Sequence, residues 1–184
     1  MFPAYVENPA NCRFEGQDVD EKIFLLLRAH PITNLKWIIP AVLIFFIPFA
    51  LPPILISLGF EELLSFPAAY LSAFIVINYL LVLVITFEGF LYWYFNVYLV
   101  TAKNIVDVDF HSILFKNIDL APLANVEDTS SSMAGILSSI FNYGNVVVQT
   151  AGAAENIDFR DVPNPHRVSD FILDQAHKVR GGGH

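Results

Sequence analysis

The sequence predicts a membrane protein of the α plus β class: a two-helix transmembrane hairpin, then a small antiparallel β-barrel or sandwich capped by a C-terminal helix. Three observations carry this. Two uncharged runs, residues 37–60 and 63–87, lie nearly end to end. After Tyr94 the hydrophobic period changes from helical to alternating. The chain then closes on one amphipathic segment that opens with Asn164 and Pro165. Composition agrees, because 55% of the 184 residues are hydrophobic and only 15% are charged, where an average soluble domain carries about 25% charge. A chain of this length and polarity calls for a bilayer more than for a larger core.

The implied division is an N-terminal segment, 1–34, and a helical region, 35–95. The latter holds transmembrane helices at about 36–59 and 65–94 with a short external loop. A cytoplasmic β-rich domain follows at 96–180, and residues 181–184 form a flexible tail. The opening "MFPAYVENPANCRFEGQDVDEK" has no basic start and no early apolar run, so no cleaved leader is expected. Next, "DVDEKIFLLLRAHPITN" predicts a short amphipathic helix at the inner membrane face, with packing on the C-terminal domain as the alternative. Asp18 caps it, Glu21 stands in capping-box register, and Ile23, Leu26 and Leu27 form its apolar stripe. His30 ends it, since Pro31 follows.

Each uncharged run exceeds the roughly 20 residues needed to span hydrocarbon. The first contains Pro40, Pro48, Pro52 and Pro53, which predict a bent helix with an irregular outer end near Pro52 and Pro53. The second has one strongly polar member, Asn78, read as an interhelical hydrogen-bonding group. The connector holds Glu61 and Glu62 but no base, whereas Arg28, Lys36 and Lys103 flank the other ends. That bias places the connector outside and both termini in the cytoplasm, in a multi-pass protein of the inner membrane. Glu88 sits at the inner end of the second run. It reads as an interfacial carboxylate paired with Lys36 or Arg28, with a proton-relay or catalytic role as the alternative. Phe90, Tyr92, Trp93 and Tyr94 fit an aromatic belt that leads into the domain with almost no linker.

In the second half, "NVYLV", the turn "TAKN" and "NIVDVDFH" predict a hairpin. Val106, Val108 and Phe110 face the core, and Asp107, Asp109 and His111 face water. Ile118 and Leu120 mark a further strand, and "ANVED" a short one. Met133, Ile136, Leu137, Ile140 and Phe141 recur at helical spacing, with serines as the N-cap and Gly144 near the C-terminus. "NVVVQTA" and "NIDFRDV" add two strands. In the closing helix Val168, Phe171, Ile172, Gln175 and Val179 define the buried face.

Charge and motifs exclude several functions. A net charge of −8 argues against nucleic acid as a partner. No phosphate-binding loop, nucleophile elbow, zincin or CxxC motif occurs, so neither enzymatic activity nor a cofactor is expected. Asp170, Asp174 and His177 read as a solvated helix face and not a metal site. The single cysteine, Cys12, supports no disulfide framework.

The segments "YWYFNVYLVTAKNIV", "IDLAPLANVED", "IFNYGNVVVQTAG" and "IDFRDVPNPHRVSDFI" appear in an order that resembles the bacterial pleckstrin-homology (PH)-like domain family, in the branch with two transmembrane helices before the domain. The resemblance implies a PH-like fold on the cytoplasmic face, with Trp93, Thr101, Tyr143, Gly144 and Pro165 as family-like structural positions. Eukaryotic PH domains hold phosphoinositides with basic residues around the first hairpin. Here that turn has only Lys103, and from Thr101 onward ten acids face six bases. No phosphoinositide site is therefore expected. The expected role is a non-enzymatic interaction or scaffolding module, anchored in the lipid bilayer, that binds a protein partner or copies of itself. The alternatives are a lipid sensor using Lys103 and the Met133–Phe141 segment, and a membrane enzyme or transporter subunit using Glu88 and Asn78.

Overall fold

The computed structural model describes residues 3–9, 12, 14, 17, 21–112, 115–151 and 156–181. The expected Asp18 cap and the tail beyond Gly181 lie outside them. The chain divides into two compact units. One runs from the N-terminus to Thr33 and resumes at Tyr92, and the other is Asn34–Leu91.

The second unit holds helix α1 (Leu35–Ser57) and most of α2 (Ala68–Phe95). Both are long and apolar enough to cross a membrane by length and composition. All four prolines lie inside α1. The irregular end expected at Pro52 and Pro53 is instead helical to Ser57, and Leu58 still donates to the Ile54 carbonyl. A proline removes its own donor but leaves the N–H groups of later residues free to bond back. The helices meet at small and aromatic residues. Phe45 packs on Tyr79 with ring centroids 5.4 Å apart. A Cβ at Gly89 would lie 2.4 Å from Cγ of Trp37, so only glycine admits the indole there.

The first unit is a two-sheet sandwich. Its larger sheet has β1 (Tyr5–Glu7), β2 (Ile23–Leu27), β3 (Val97–Thr101), β4 (Asn104–Ser112) and β5 (Phe115–Pro122), in that order and antiparallel throughout. The smaller sheet has β6 (Val126–Ser132), β7 (Tyr143–Thr150) and β8 (Ile157–Pro163). The short helix α3 (Ile136–Phe141) joins β6 to β7, and α4 (Pro165–Gly181) closes the chain.

Residues 23–27 correct the sequence reading. They form a strand and not an amphipathic helix, with Leu25, Leu26 and Leu27 opposite Val100, Leu99 and Tyr98. A run of five apolar residues fits a strand buried on both faces as well as it fits a helical stripe, and a long-range partner decided the matter. Leu25 and Leu27 enter the core between the sheets with Val100, Ile105, Val146, Phe159, Val168 and Ile172. Ile23 and Leu26 lie on the opposite face, where they pack with Leu99, Val106, Cys12 and Phe14.

The second cluster corrects another expectation. Val106 does sit in a core, but the one built on the outer face of the sheet. Its neighbours Ile105 and Asp107 point between the sheets. Asp107 is therefore buried and not solvent-facing. The side chain of His111 lies outside the described residues.

Three smaller differences have local causes. The serines expected to cap a helix lie in β6, where Thr129 and Ser131 bond to Ser169 and His166 of α4. These polar contacts leave no alternating hydrophobic signature. The C-cap of α3 is Asn142, at φ 52°, and not Gly144. In α4 the buried face is Val168, Ile172 and Ala176 with Ser169, Phe171 packs half-buried against the same core, and Val179 is exposed.

Replacement of Leu25 by Ala should destabilise the β-rich unit by about 2–5 kcal/mol, the range for a fully buried leucine. Denaturant titration of the purified chain in neutral nanodiscs, followed by near-ultraviolet circular dichroism, checks this. A loss below about 0.5 kcal/mol, the scale of a surface substitution, is the result that contradicts β2.

Candidate functional site

The residues of interest lie where the chain passes between the β-unit and the helices, and at the two ends of the larger sheet. At the passage, the indole N–H of Trp93 donates to the Ala29 carbonyl over 2.8 Å. The Arg28 guanidinium lies 5.1 Å above the Tyr94 ring. The His30 amide donates to the Asp161 carbonyl at 2.7 Å, and its ring stacks 5.5 Å from that of Tyr143. A bulge makes this possible. Between the pairs Gly144–Val162 and Val146–Phe159, β8 has two residues where β7 has one, and Asp161 takes φ 54°. Asn145 stabilises the turn by accepting from the Asp161 amide. Burial pushes the His30 imidazole below the usual histidine range. Residues 28–30 and 93–94 are thereby tied to one another and to the smaller sheet.

Gly144 and Pro165 support the same end. A Cβ on Gly144 would lie 2.2 Å from the Ser132 carbonyl, so this close approach of β6 and β7 requires glycine. Pro165 is buried as the first residue of α4. Asn164, at φ 51°, is linked to Asn142 by a backbone bond of 2.9 Å and a side-chain bond of 2.5 Å. Two asparagines in the left-handed region, where that residue is tolerated, thus clamp α3 to α4.

Between the sheets lies an acidic end. Tyr98 stacks on Phe159 at 4.6 Å, and its hydroxyl accepts from the Arg160 amide at 3.1 Å. Asp107 stands opposite Tyr98 on one side and Asp119 on the other. Burial, then the nearby Asp109 and Asp119 charges, push its carboxyl up to about 7, against a smaller opposing pull from Arg160. Its Oδ1 makes no hydrogen bond among the described residues. These acids form no metal-binding group among the described residues.

At the far end of β3, Thr101 is buried and serves as a hub. Its hydroxyl pairs with the Glu21 carboxylate and the Asn104 carbonyl, and it accepts from the Lys103 and Asn104 amides. Asn104 also donates to Glu21 at 2.9 Å. Lys103 thus sits on a turn fixed by a buried carboxylate. Thr101 is four residue steps beyond Val97, so this turn is about 13 Å along the strand from the passage. Asn78 is buried on α2, with its Oδ1 unbonded among the described residues, and Glu88 is exposed. Ten residues of helix put roughly 15 Å of rise between them, so the structure does not bring the two together.

Asp107 and the passage role of His30 escaped the sequence reading. Alternation marked Asp107 as a surface residue, and nothing local reveals that a distant strand covers the other face. The bond between Glu21 and Thr101 spans 80 residues, so no local signal in the sequence marks it.

The folded pKa of Asp107 lies above its unfolded value, so the sign of its effect is fixed. Its contribution is fully present below 3.8 and is lost as pH rises to about 7, because the unfolded chain ionises first. Asp107→Asn should equal the parent chain in stability at pH 4 and exceed it by about 2 kcal/mol above pH 7, a figure discounted for the open end of the sandwich. Urea titrations at the two pH values measure the difference, and equal curves at high pH contradict it.

Comparison with known proteins agrees with this architecture. No curated protein and no solved structure matches the chain significantly. The model of the bacterial PH domain family matches residues 32–176, which takes in both apolar helices, β3 to β8 and most of α4. The chain belongs to the bacterial PH domain family.

Proposed function

We propose that this protein is a non-enzymatic interaction module anchored by α1 and α2 in the cytoplasmic membrane, with the PH-like unit at the inner face holding a protein partner or a second copy of the chain. The observation that carries the reading is the exposure of the two helices. Only 6% of each apolar window is buried, whereas a soluble protein covers helices of this hydropathy. Leu43, Phe49, Ile77 and Leu83 all present their side chains outward. In hydrocarbon such faces cost nothing, and a helix satisfies most of its backbone polar groups internally.

Two features support a protein partner over an anionic headgroup. The hairpin turn with Lys103 lies at the end of β3 remote from α2, and the buried Glu21 carboxylate fixes it. The chain also carries a net charge of −8, which opposes the accumulation of a multivalent anion. A membrane enzyme or transporter subunit using Asn78 and Glu88 has no geometric support, since the two residues stand apart.

Cross-linking in native membranes followed by mass spectrometry tests this reading. A reproducible hetero- or homo-adduct through the PH-like unit is expected, and monomer alone overturns it. Cysteine accessibility checks the orientation. Glu62→Cys should react with an impermeant maleimide in intact cells, and Lys178→Cys only after permeabilisation.

A further inference from the structure

Helix α3 has its polarity inverted for a helix in water. Its one buried residue is Ser138, whose hydroxyl turns back to the Gly135 carbonyl at 2.7 Å. The apolar side chains point outward, with Ile136 80% exposed, Ile140 67% and Leu137 54%, and Met133 and Phe141 are exposed beside them. No charged residue occurs from Ser130 to Tyr143. Water-facing surface helices carry the opposite pattern, and contiguous apolar exposure marks a contact surface.

The position of α3 identifies what it contacts. Phe141 lies 6.4 Å from the His30 ring, and Tyr143 stacks on that ring. His30 immediately precedes the segment that opens α1, and its neighbour Ala29 is bonded to Trp93 in the last turn of α2. The apolar patch therefore stands at the end of the β-unit where the chain passes into and out of the apolar helices. Its lack of charge suits the uncharged part of a lipid interface and not an anionic headgroup.

We propose that α3 is a second membrane contact: Ile136, Leu137 and Ile140 insert into the interfacial zone of the bilayer that holds α1 and α2, and so fix the orientation of the PH-like unit on the membrane. The inference rests on the membrane-anchored reading above. A short helix of this kind seats about 5–10 Å into the headgroup and acyl boundary. With the Trp93 and His30 contacts, it gives the unit a further point of attachment, and the PH-like surface remote from the bilayer stays available to a partner.

The test uses the full chain in phosphatidylcholine nanodiscs, with Cys12→Ala as background and one bimane label per protein. Labels go at Ile140→Cys and, independently, Leu137→Cys, with Lys103→Cys as the distal control and Leu83→Cys reporting on α2. Lipid with a nitroxide near the headgroup should reduce fluorescence roughly twofold or more at Ile140 and Leu137 while leaving Lys103 unchanged. A deep nitroxide should quench Leu83. If Leu83 is quenched but aqueous iodide, and not lipid nitroxide, quenches both α3 labels, α3 faces water and this inference alone falls. If neither quencher reaches the α3 labels, a protein surface such as a second copy covers the helix, and the inference is again overturned. If Leu83 itself escapes the lipid quencher, the anchored reading fails and takes this one with it.

Discussion

The pairing of residues 23–27 with residues 97–101 is the constraint on which the rest of the fold depends. These strands lie on opposite sides of both apolar helices in sequence, yet they are neighbours in one sheet. Closing so long an excursion has an entropic cost that grows only slowly with length. The return is a strand whose two faces are both buried. Leu25 and Leu27 complete the core between the sheets, and Ile23 and Leu26 create a second cluster on the outer face. Without β2, β3 would be an open edge, with unpaired N–H and C=O groups and an uncovered Leu99.

Much of the electrostatics follows from that cover. Because the N-terminal segment occupies the outer face of the larger sheet, Val106 and Val108 find apolar partners there. The alternate residues of β4 must then turn toward the smaller sheet. Ile105 suits this position, and Asp107 does not, so its carboxyl rises to about 7. The same segment supplies Glu21, which sets Thr101 and Asn104 in the hairpin turn. The residues that carry most of the unusual chemistry are thus consequences of one ladder.

At the opposite end of β3 the geometry serves position and not chemistry. Glycine at 144 admits the close approach of β6 and β7, and the bulge at Asp161 presents a carbonyl to His30. The asparagine pair 142 and 164 fixes α3 to α4. Each is a local backbone device, and together they organise the end where the PH-like unit joins the apolar helices. On the proposed reading, a module that works by binding needs this kind of definition more than it needs a reactive group.

The sequence by itself determined the parts whose signal is local. The two apolar helices follow from length and hydropathy, the Val97–Ser112 hairpin from alternation and the "TAKN" turn, and the start of α4 from Asn164 and Pro165. The place of Pro165 as the first residue of α4 was legible in the same way, since cap chemistry acts over a few residues, whereas Gly144 admits Ser132 of β6 and is not the cap that its position after α3 suggests. Tertiary structure alone decided the strand at Ile23–Leu27, the inward aim of Asp107, the stacking of His30 on Tyr143 and the outward face of α3. A five-residue apolar run suits helix or strand equally, and an alternating strand does not say which face will be covered. Those choices depend on partners many residues away, and only the folded chain brings them together.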